Sequence, residues 1–291
     1  MKVYEIDNKV VIENIKDFDP KHIFECGQCF RWHKQEDDSY TGVAMGKVIN
    51  VKKEGETVYI DNTNIKDFND IWIEYFDLET DYTEIKNTLK KMDEYLDKAC
   101  EFGWGIRILK QDSWEMLISF IISSNNRIPM IQRAINNLSQ NYGDYIGEYR
   151  GEKYYAFPTP KQLSKASIED IRACQTGFRD KYIKATTDAV TNDNEDIKKL
   201  RNVSTEECLK KLTSFNGVGP KVGDCIALFG MQKYDTFPVD VWVKRVMQEF
   251  YVSEDMSLPK IRRYAVDKFE DLSGFAQQYL FYYARELGIG K

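Results

Sequence analysis

The segment FNGVGPKVGDC at 215–225 constrains this chain more than any other stretch of its sequence. Before it, Ser204 and Glu207 form a capping box, and Cys208, Leu209, Leu212 and Phe215 recur at helical spacing. After it, Val222, Cys225, Ile226 and Phe229 restart the same period, and Pro220 suits a first helical turn. Gly217 and Gly219 permit positive φ between the two, so the pattern predicts helix, tight hairpin, helix over about 205–230. Such a hairpin lets the backbone N–H groups of Gly217, Val218 and Gly219 approach a phosphate, aided by the positive end of the second helix. The plainer reading is a turn joining two core helices.

Lys221 bears on that choice. It falls in the first turn of the second helix, where the macrodipole disfavours a cation. A lysine is a nucleophile only when neutral, and moving its pKa from about 10.4 to near 7 costs roughly 4 to 5 kcal/mol. Partial burial and the helix N-terminus are the expected sources of that shift. The alternative is a solvated lysine that only touches phosphate. Further on, TFPVDVWVKRVMQEF at 236–250 puts Asp240 at the start of another helix, where aspartates ordinarily cap.

Elsewhere the period of the apolar residues changes once. Up to about residue 98 it favours strands, with VINV at 48–51 and TVYI at 57–60 flanking a turn-like KKEGE, and 64–99 read as short helices. Beyond residue 100 it is helical. Asp112 and Glu115 make a capping-box-like start, and Trp114, Leu117, Ile118, Ile121 and Ile122 follow at helical spacing until SSNN at 123–126 ends the run. Ile128, Ile131, Ile135 and Leu138 form a second stripe, Pro160 opens a helix, Ser167 caps another that Gly177 can close, and 191–202 reads as a charged surface connection. The expectation is an α+β protein, with an N-terminal antiparallel β-sheet domain over 1–98 and a two-part α-helical body over 99–291.

Composition limits the choices. Lys+Arg number 41 against 47 Asp+Glu, a net charge of −6, so any nucleic-acid contact must come from a local patch and backbone amides. Six scattered cysteines and an N-terminus without a signal peptide read as a reduced, cytoplasmic protein, and MLISFII at 116–122 is too short to span a membrane. With only His22 and His33, histidine-based metal or triad chemistry is not expected.

GVGPK followed by PVD resembles the helix-hairpin-helix superfamily of DNA glycosylases, whose bifunctional members carry a lysine by the hairpin and an aspartate downstream. GQCFRW at 27–32, SSNN at 123–126, GFRDKY at 177–182 and FAQQYLFYYARELG at 275–288 are similar to motifs of its 8-oxoguanine branch, and these matches cover nearly the whole chain. The resemblance implies that Lys221 attacks C1′ and Asp240 stabilises the cationic sugar. It implies that the Gly27 carbonyl, near the end of an entry strand, accepts the N7–H that 8-oxoguanine has and guanine lacks. Gln277 would bond the base edge, with Phe281 and Cys225 covering its two faces. Asn125 would probe the gap left by the extruded base, Phe178 would wedge the stack, and Arg179 would face the orphaned partner.

Two positions depart from the pattern: Trp242 where many relatives have a phosphate-contacting histidine, and Met130 where cytosine-selective relatives have a second arginine. Without a four-cysteine run after Cys225, no iron–sulfur cluster is expected. No cofactor is required, though hairpin carbonyls leave room for a structural cation. The expected partner is double-stranded DNA containing 8-oxoguanine, bound by a monomer, nucleoid-associated in a bacterium or archaeon. The competing readings are a glycosylase for another damaged base and a non-catalytic DNA-binding module.

Overall fold

Three two-residue hairpins build the N-terminal sheet of this computed structural model, which describes residues 1–192, 196–252 and 255–289. Asp7 and Asn8 both take positive φ between β1 (Lys2–Ile6) and β2 (Lys9–Glu13). Met45 and Gly46 do the same between β4 (Tyr40–Ala44) and β5 (Lys47–Glu54), and Gly55 opens the turn from β5 to β6 (Thr57–Asp61). Such turns match the right-handed twist of the strands they join. With β3 (Trp32–Lys34) at one edge, the order β1-β2-β6-β5-β4-β3 is antiparallel throughout.

Helix α1 (Pro20–Glu25) lies between β2 and β3. The body consists of α2 (Tyr82–Met92), α3 (Glu94–Phe102), α4 (Ser113–Ser123), α5 (Ile128–Tyr142), α6 (Asp180–Asn192), α7 (Thr205–Leu212), α8 (Pro220–Met231), α9 (Val241–Phe250), α10 (Leu258–Phe269) and α11 (Ser273–Leu287). A separate two-stranded sheet, β7 (Tyr145–Tyr149) and β8 (Glu152–Tyr155), reaches from the body back to the larger sheet, where Tyr149 Oη donates to Asp61 at 2.7 Å. None of these helices is long and apolar enough to cross a membrane, among the described residues.

There are two cores. The sheet core runs from Val10 to Phe76 and takes in Leu109, whereas Tyr82, Leu89, Leu96, Ala99 and Cys100 belong to the helical core. Residue 98 therefore lies inside α3, on the helical side of the division. Cys26 and Phe30 also enter the helical core, so the segment around GQCFRW joins the two bodies. That segment is not a strand until Trp32: Gly27 sits in a turn after α1 with φ +90. The turn is pinned by Gln28, which is fully buried. Its Nε2 donates to the carbonyls of Ile23 and Arg107, its Oε1 accepts from Leu109 N, and its own carbonyl accepts from Gln111, each at 2.8 Å.

Four local expectations change, one of them at α7, where Ser204 Oγ accepts from Glu207 N but the Glu207 side chain does not return to complete a box. Ile128 is 48% exposed, at the solvent end of its stripe. In the connection at 191–202, residues 193–195 lie outside the described residues, and Ile197 and Leu200 are buried rather than at the surface. Asp112 caps α4 through Trp114 N and Glu115 N, but the Glu115 side chain does not return to complete a box. It turns inward to Arg31 at 3.8 Å, with both side chains almost buried.

Burial pushes the Glu115 carboxyl up to about 7, and the Arg31 guanidinium offsets only part of that. A folded-state carboxyl raised in this way favours the protonated form. Its stabilising contribution is complete below the unfolded pKa near 4.5 and is lost as pH rises through about 7. Glu115→Gln, which keeps the protonated shape, is expected to gain up to roughly 3 kcal/mol relative to the parent between pH 5 and pH 8. Urea melts across that range check this, and parallel stability curves would contradict it.

Candidate active site

The hairpin between α7 and α8 uses its two glycines differently. Gly217 takes φ +82, and a Cβ there would stand 2.8 Å from the Tyr182 ring, so both backbone and packing require glycine. Gly219 does not need positive φ, since its φ is −84, and a Cβ there would meet nothing within 4 Å. The fold does not ask for glycine at 219; it leaves open surface above the N-terminus of α8. Val218 faces inward, and its N–H is committed to the Phe215 carbonyl at 3.2 Å. The amides left for an anion are therefore those of Gly217, Gly219 and the first turn of α8.

Lys221 points from that first turn into a cavity of about 80 Å³, lined among others by Gly27, Cys225, Asp240, Gln277 and Phe281. Cys225 lies one turn along α8 from the lysine. The Cys225 sulfur and then the Asp240 carboxylate favour the Lys221 ammonium, against burial, and hold its pKa above the ordinary value. The expected depression toward neutrality is thus absent. Burial in turn pushes the Cys225 thiol up, partly countered by the Lys221 ammonium. Asp240 caps α9, with Oδ1 accepting from Val243 N at 2.8 Å. A structural cap and a carboxylate in the cavity are the same residue.

On the opposite wall, α11 carries Gln277 and Phe281 four residues apart on one face. Gln277 Oε1 is buried and accepts no hydrogen bond, an unmet acceptor that a polar ligand edge can satisfy. Phe281 is held by Trp242, which meets it edge to face with centroids 5.0 Å apart. Gly27 packs so tightly that a Cβ would lie 3.3 Å from Phe281 Cε1.

The residues expected to meet the partner strand lie outside this cavity. Phe178 is 59% exposed and Met130 38%, while Asn125 adopts φ +47 at the end of α4. Arg179, by contrast, is buried. Its Nε donates to Ser124 O at 2.9 Å, Nη2 to Asn125 O at 2.9 Å and Nη1 to Thr176 O at 3.3 Å. Its guanidinium centre lies 4.3 Å from the Phe178 ring centroid. In this state it holds the SSNN loop and the wedge in place, with every nitrogen engaged.

Sequence reasoning passed over Gln28, Gln278 and Arg285. The only available signal for Gln28 was its place inside GQCFRW. Among the described residues no group of three or more His, Cys, Asp and Glu could hold a metal ion. The turn carbonyls of Leu212 and Phe215, from which a cation could draw, already accept N–H groups within the hairpin.

Residues 10–117 match the family model for the 8-oxoguanine DNA glycosylase N-terminal domain, and 118–271 match that for HhH-GPD superfamily base excision DNA repair proteins. The chain is 30% identical over 275 residues to an N-glycosylase/DNA lyase of Arabidopsis thaliana, covering 89% of this chain and 75% of that protein. It is 29% identical over 238 residues to a probable N-glycosylase/DNA lyase of Methanothermobacter thermautotrophicus, covering 75% of each. The structure of Clostridium acetobutylicum 8-oxoguanine glycosylase/lyase, in complex with double-stranded DNA containing cytosine opposite 8-oxoguanine, is similar with a TM-score of 0.96. It is 51% identical, and 99% of both chains is covered. A 3-methyladenine DNA glycosylase from Archaeoglobus fulgidus, 21% identical with a TM-score of 0.77, shares the fold.

The two hairpin glycines should separate in experiment. Gly217→Ala is expected to cost about 1 to 3 kcal/mol through its strained φ and the Tyr182 clash. Gly219→Val, at the N-cap of α8, should cost less than Gly217→Ala, about 1 kcal/mol at most, yet weaken duplex DNA binding, because its side chain fills the surface where a backbone phosphate would sit. Equal stability losses in both would refute the distinction.

Proposed function

We propose, on the premise that this chain belongs to the 8-oxoguanine glycosylase/lyase family within the HhH-GPD superfamily, that Lys221 is its nucleophile and Asp240 the supporting carboxylate. The protein is a bifunctional DNA glycosylase and lyase of base excision repair, which excises 8-oxoguanine from duplex DNA and then cuts the strand. The observation that carries the residue assignment is a single cavity: an amine, a carboxylate, the Gly27 turn and an unmet Gln277 acceptor converge there.

The glycosidic bond is poorly accessible in the stack, so the nucleotide must be extruded. The Lys221 nitrogen then bonds to C1′ as the N-glycosidic bond breaks, and its electron pair leaves with the base. The Asp240 carboxylate offsets the positive charge developing on the sugar. Loss of the amine proton and opening of the sugar ring give a Schiff base, and removal of a C2′ proton expels the 3′ phosphate by β-elimination. Because the resting lysine is held as its ammonium, it must give up a proton before attack.

The Gly27 carbonyl would accept the N7–H of 8-oxoguanine and repel the N7 lone pair of guanine, a difference on the order of 2 to 4 kcal/mol. Normal guanines outnumber lesions by about 10⁶ or more, a scale typical of genomic competition. Rejection of guanine must therefore begin before the base enters the cavity. In this reading the enzyme acts on DNA as a monomer in the cytoplasm, at the nucleoid of a prokaryote. Lys221 and Asp240 carry the reaction without a cofactor, and any cation at the hairpin would serve structure alone.

Borohydride trapping on an 8-oxoguanine duplex tests the assignment. The parent is expected to give a covalent adduct, and Lys221→Gln none, while still binding the duplex. Trapping of the variant at normal yield would show another nucleophile.

The partner strand yields a second expectation. With Met130 in place of an arginine and Arg179 engaged by loop carbonyls, one charge-assisted contact to cytosine is missing, a loss of roughly 1 to 3 kcal/mol of discrimination. Excision opposite adenine, guanine or thymine should run at rates close to those opposite cytosine, and Met130→Arg should restore part of the preference. Single-turnover excision from four duplexes differing only in that base measures it, and strong cytosine selectivity in the parent would refute it.

A further inference from the structure

Helix α1 ends at Glu25, and its last carbonyls lack helical partners. Side chains of α11 supply two of them. Arg285 Nη2 donates to the Glu25 carbonyl at 2.5 Å, and Gln278 Nε2 to the Cys26 carbonyl at 2.7 Å. The next residue, Gly27, lines the cavity. Beyond it, Gln28 anchors the chain on the other side.

Arg285 has a second connection. Gln277, Phe281 and Arg285 follow one another at intervals of four residues and form a stripe along α11. The guanidinium centre lies 5.7 Å from the Phe281 ring centroid, and Nη1 stands 3.8 Å from where a Cβ on Gly27 would be. Glu286 steadies the same group, accepting from Nη2 at 2.9 Å. Arg285 borders the open cleft beside Trp32 and Gln132, outside the base cavity, so it reaches no reacting atom.

We propose that Arg285 is a positioning residue for damaged-base recognition: it fixes the Gly27 turn against the Phe281 ring. A glycine at φ +90 has wide conformational freedom, and one carbonyl can distinguish a donor from a lone pair only if its direction is held. Arg285 joins the turn that reads the base edge to the ring that covers its face. The inference rests on the reading of this cavity as an 8-oxoguanine pocket.

The test uses two duplexes, one with 8-oxoguanine opposite cytosine and one with a preformed abasic site at the same position. The abasic duplex needs Lys221 and Asp240 but no base pocket. Arg285→Ala is expected to slow 8-oxoguanine excision on the order of 10-fold or more under single-turnover conditions, with abasic-site incision kept within about two-fold. Arg285→Lys, which can still reach the Glu25 carbonyl, should recover part of the loss. Equal losses on both duplexes would mean general disruption of the body and overturn the proposal, as would an undiminished rate on 8-oxoguanine. A parent protein that incised the abasic duplex but left 8-oxoguanine untouched would overturn the substrate reading instead.

Discussion

The Gln28 carboxamide is fully buried, yet its donors and its acceptor are all matched, to Ile23 and Arg107 on one side and to Leu109 on the other. Buried polar groups that are completely satisfied specify one arrangement, because losing any partner strands a desolvated atom at a cost of about 1 to 3 kcal/mol. Here that arrangement joins α1 to the segment leading into α4. It sets the sheet domain against the helical body with Gly27 on the boundary. A hydrophobic contact at this point would hold the bodies together with much looser angular control. The proposed reading of a base by the Gly27 carbonyl needs the tighter joint.

The charge of the chain follows a related logic. A protein of net charge −6 must hold DNA through local features, and its hairpin offers backbone amides and a helix N-terminus. Lys221, in the first turn of α8, faces into the cavity, among groups that keep it charged at rest. A charged lysine is inert as a nucleophile, so the proposed role of Lys221 adds a proton transfer before the chemical step.

Much of this was readable from residue order, because helical and strand periods are local properties. The hairpin at 205–230, the strands around KKEGE and the cap at Asp240 each depend on residues within a few positions of one another. What escaped depends on distance in the chain. The lysine's charge state is set by a balance among Cys225, Asp240 and burial that spacing cannot rank. The division at residue 98 followed a change of period, whereas the cores divide by which residues touch, which puts α3 in the helical body. Arg179 was recognised as important, but its bonds to Ser124 and Asn125 span more than fifty residues and leave no local trace. The difference between Gly217 and Gly219 also needed Tyr182 in place before it could appear.

Trp242 shows how a departure from a family pattern can be a change of means. The histidine that the resemblance puts at this position would contact a phosphate; the indole cannot bridge charge in that way. Instead it lies edge-on to Phe281, at 86° between planes, the geometry in which the positive rim of one ring meets the negative face of the other. That fixes the plane of the ring proposed to cover the base. Arg285 approaches the same ring from farther along α11, so Phe281 is restrained by two neighbours. An aromatic wall that keeps its angle loses little entropy when a base stacks on it, and this favours binding without any added charge.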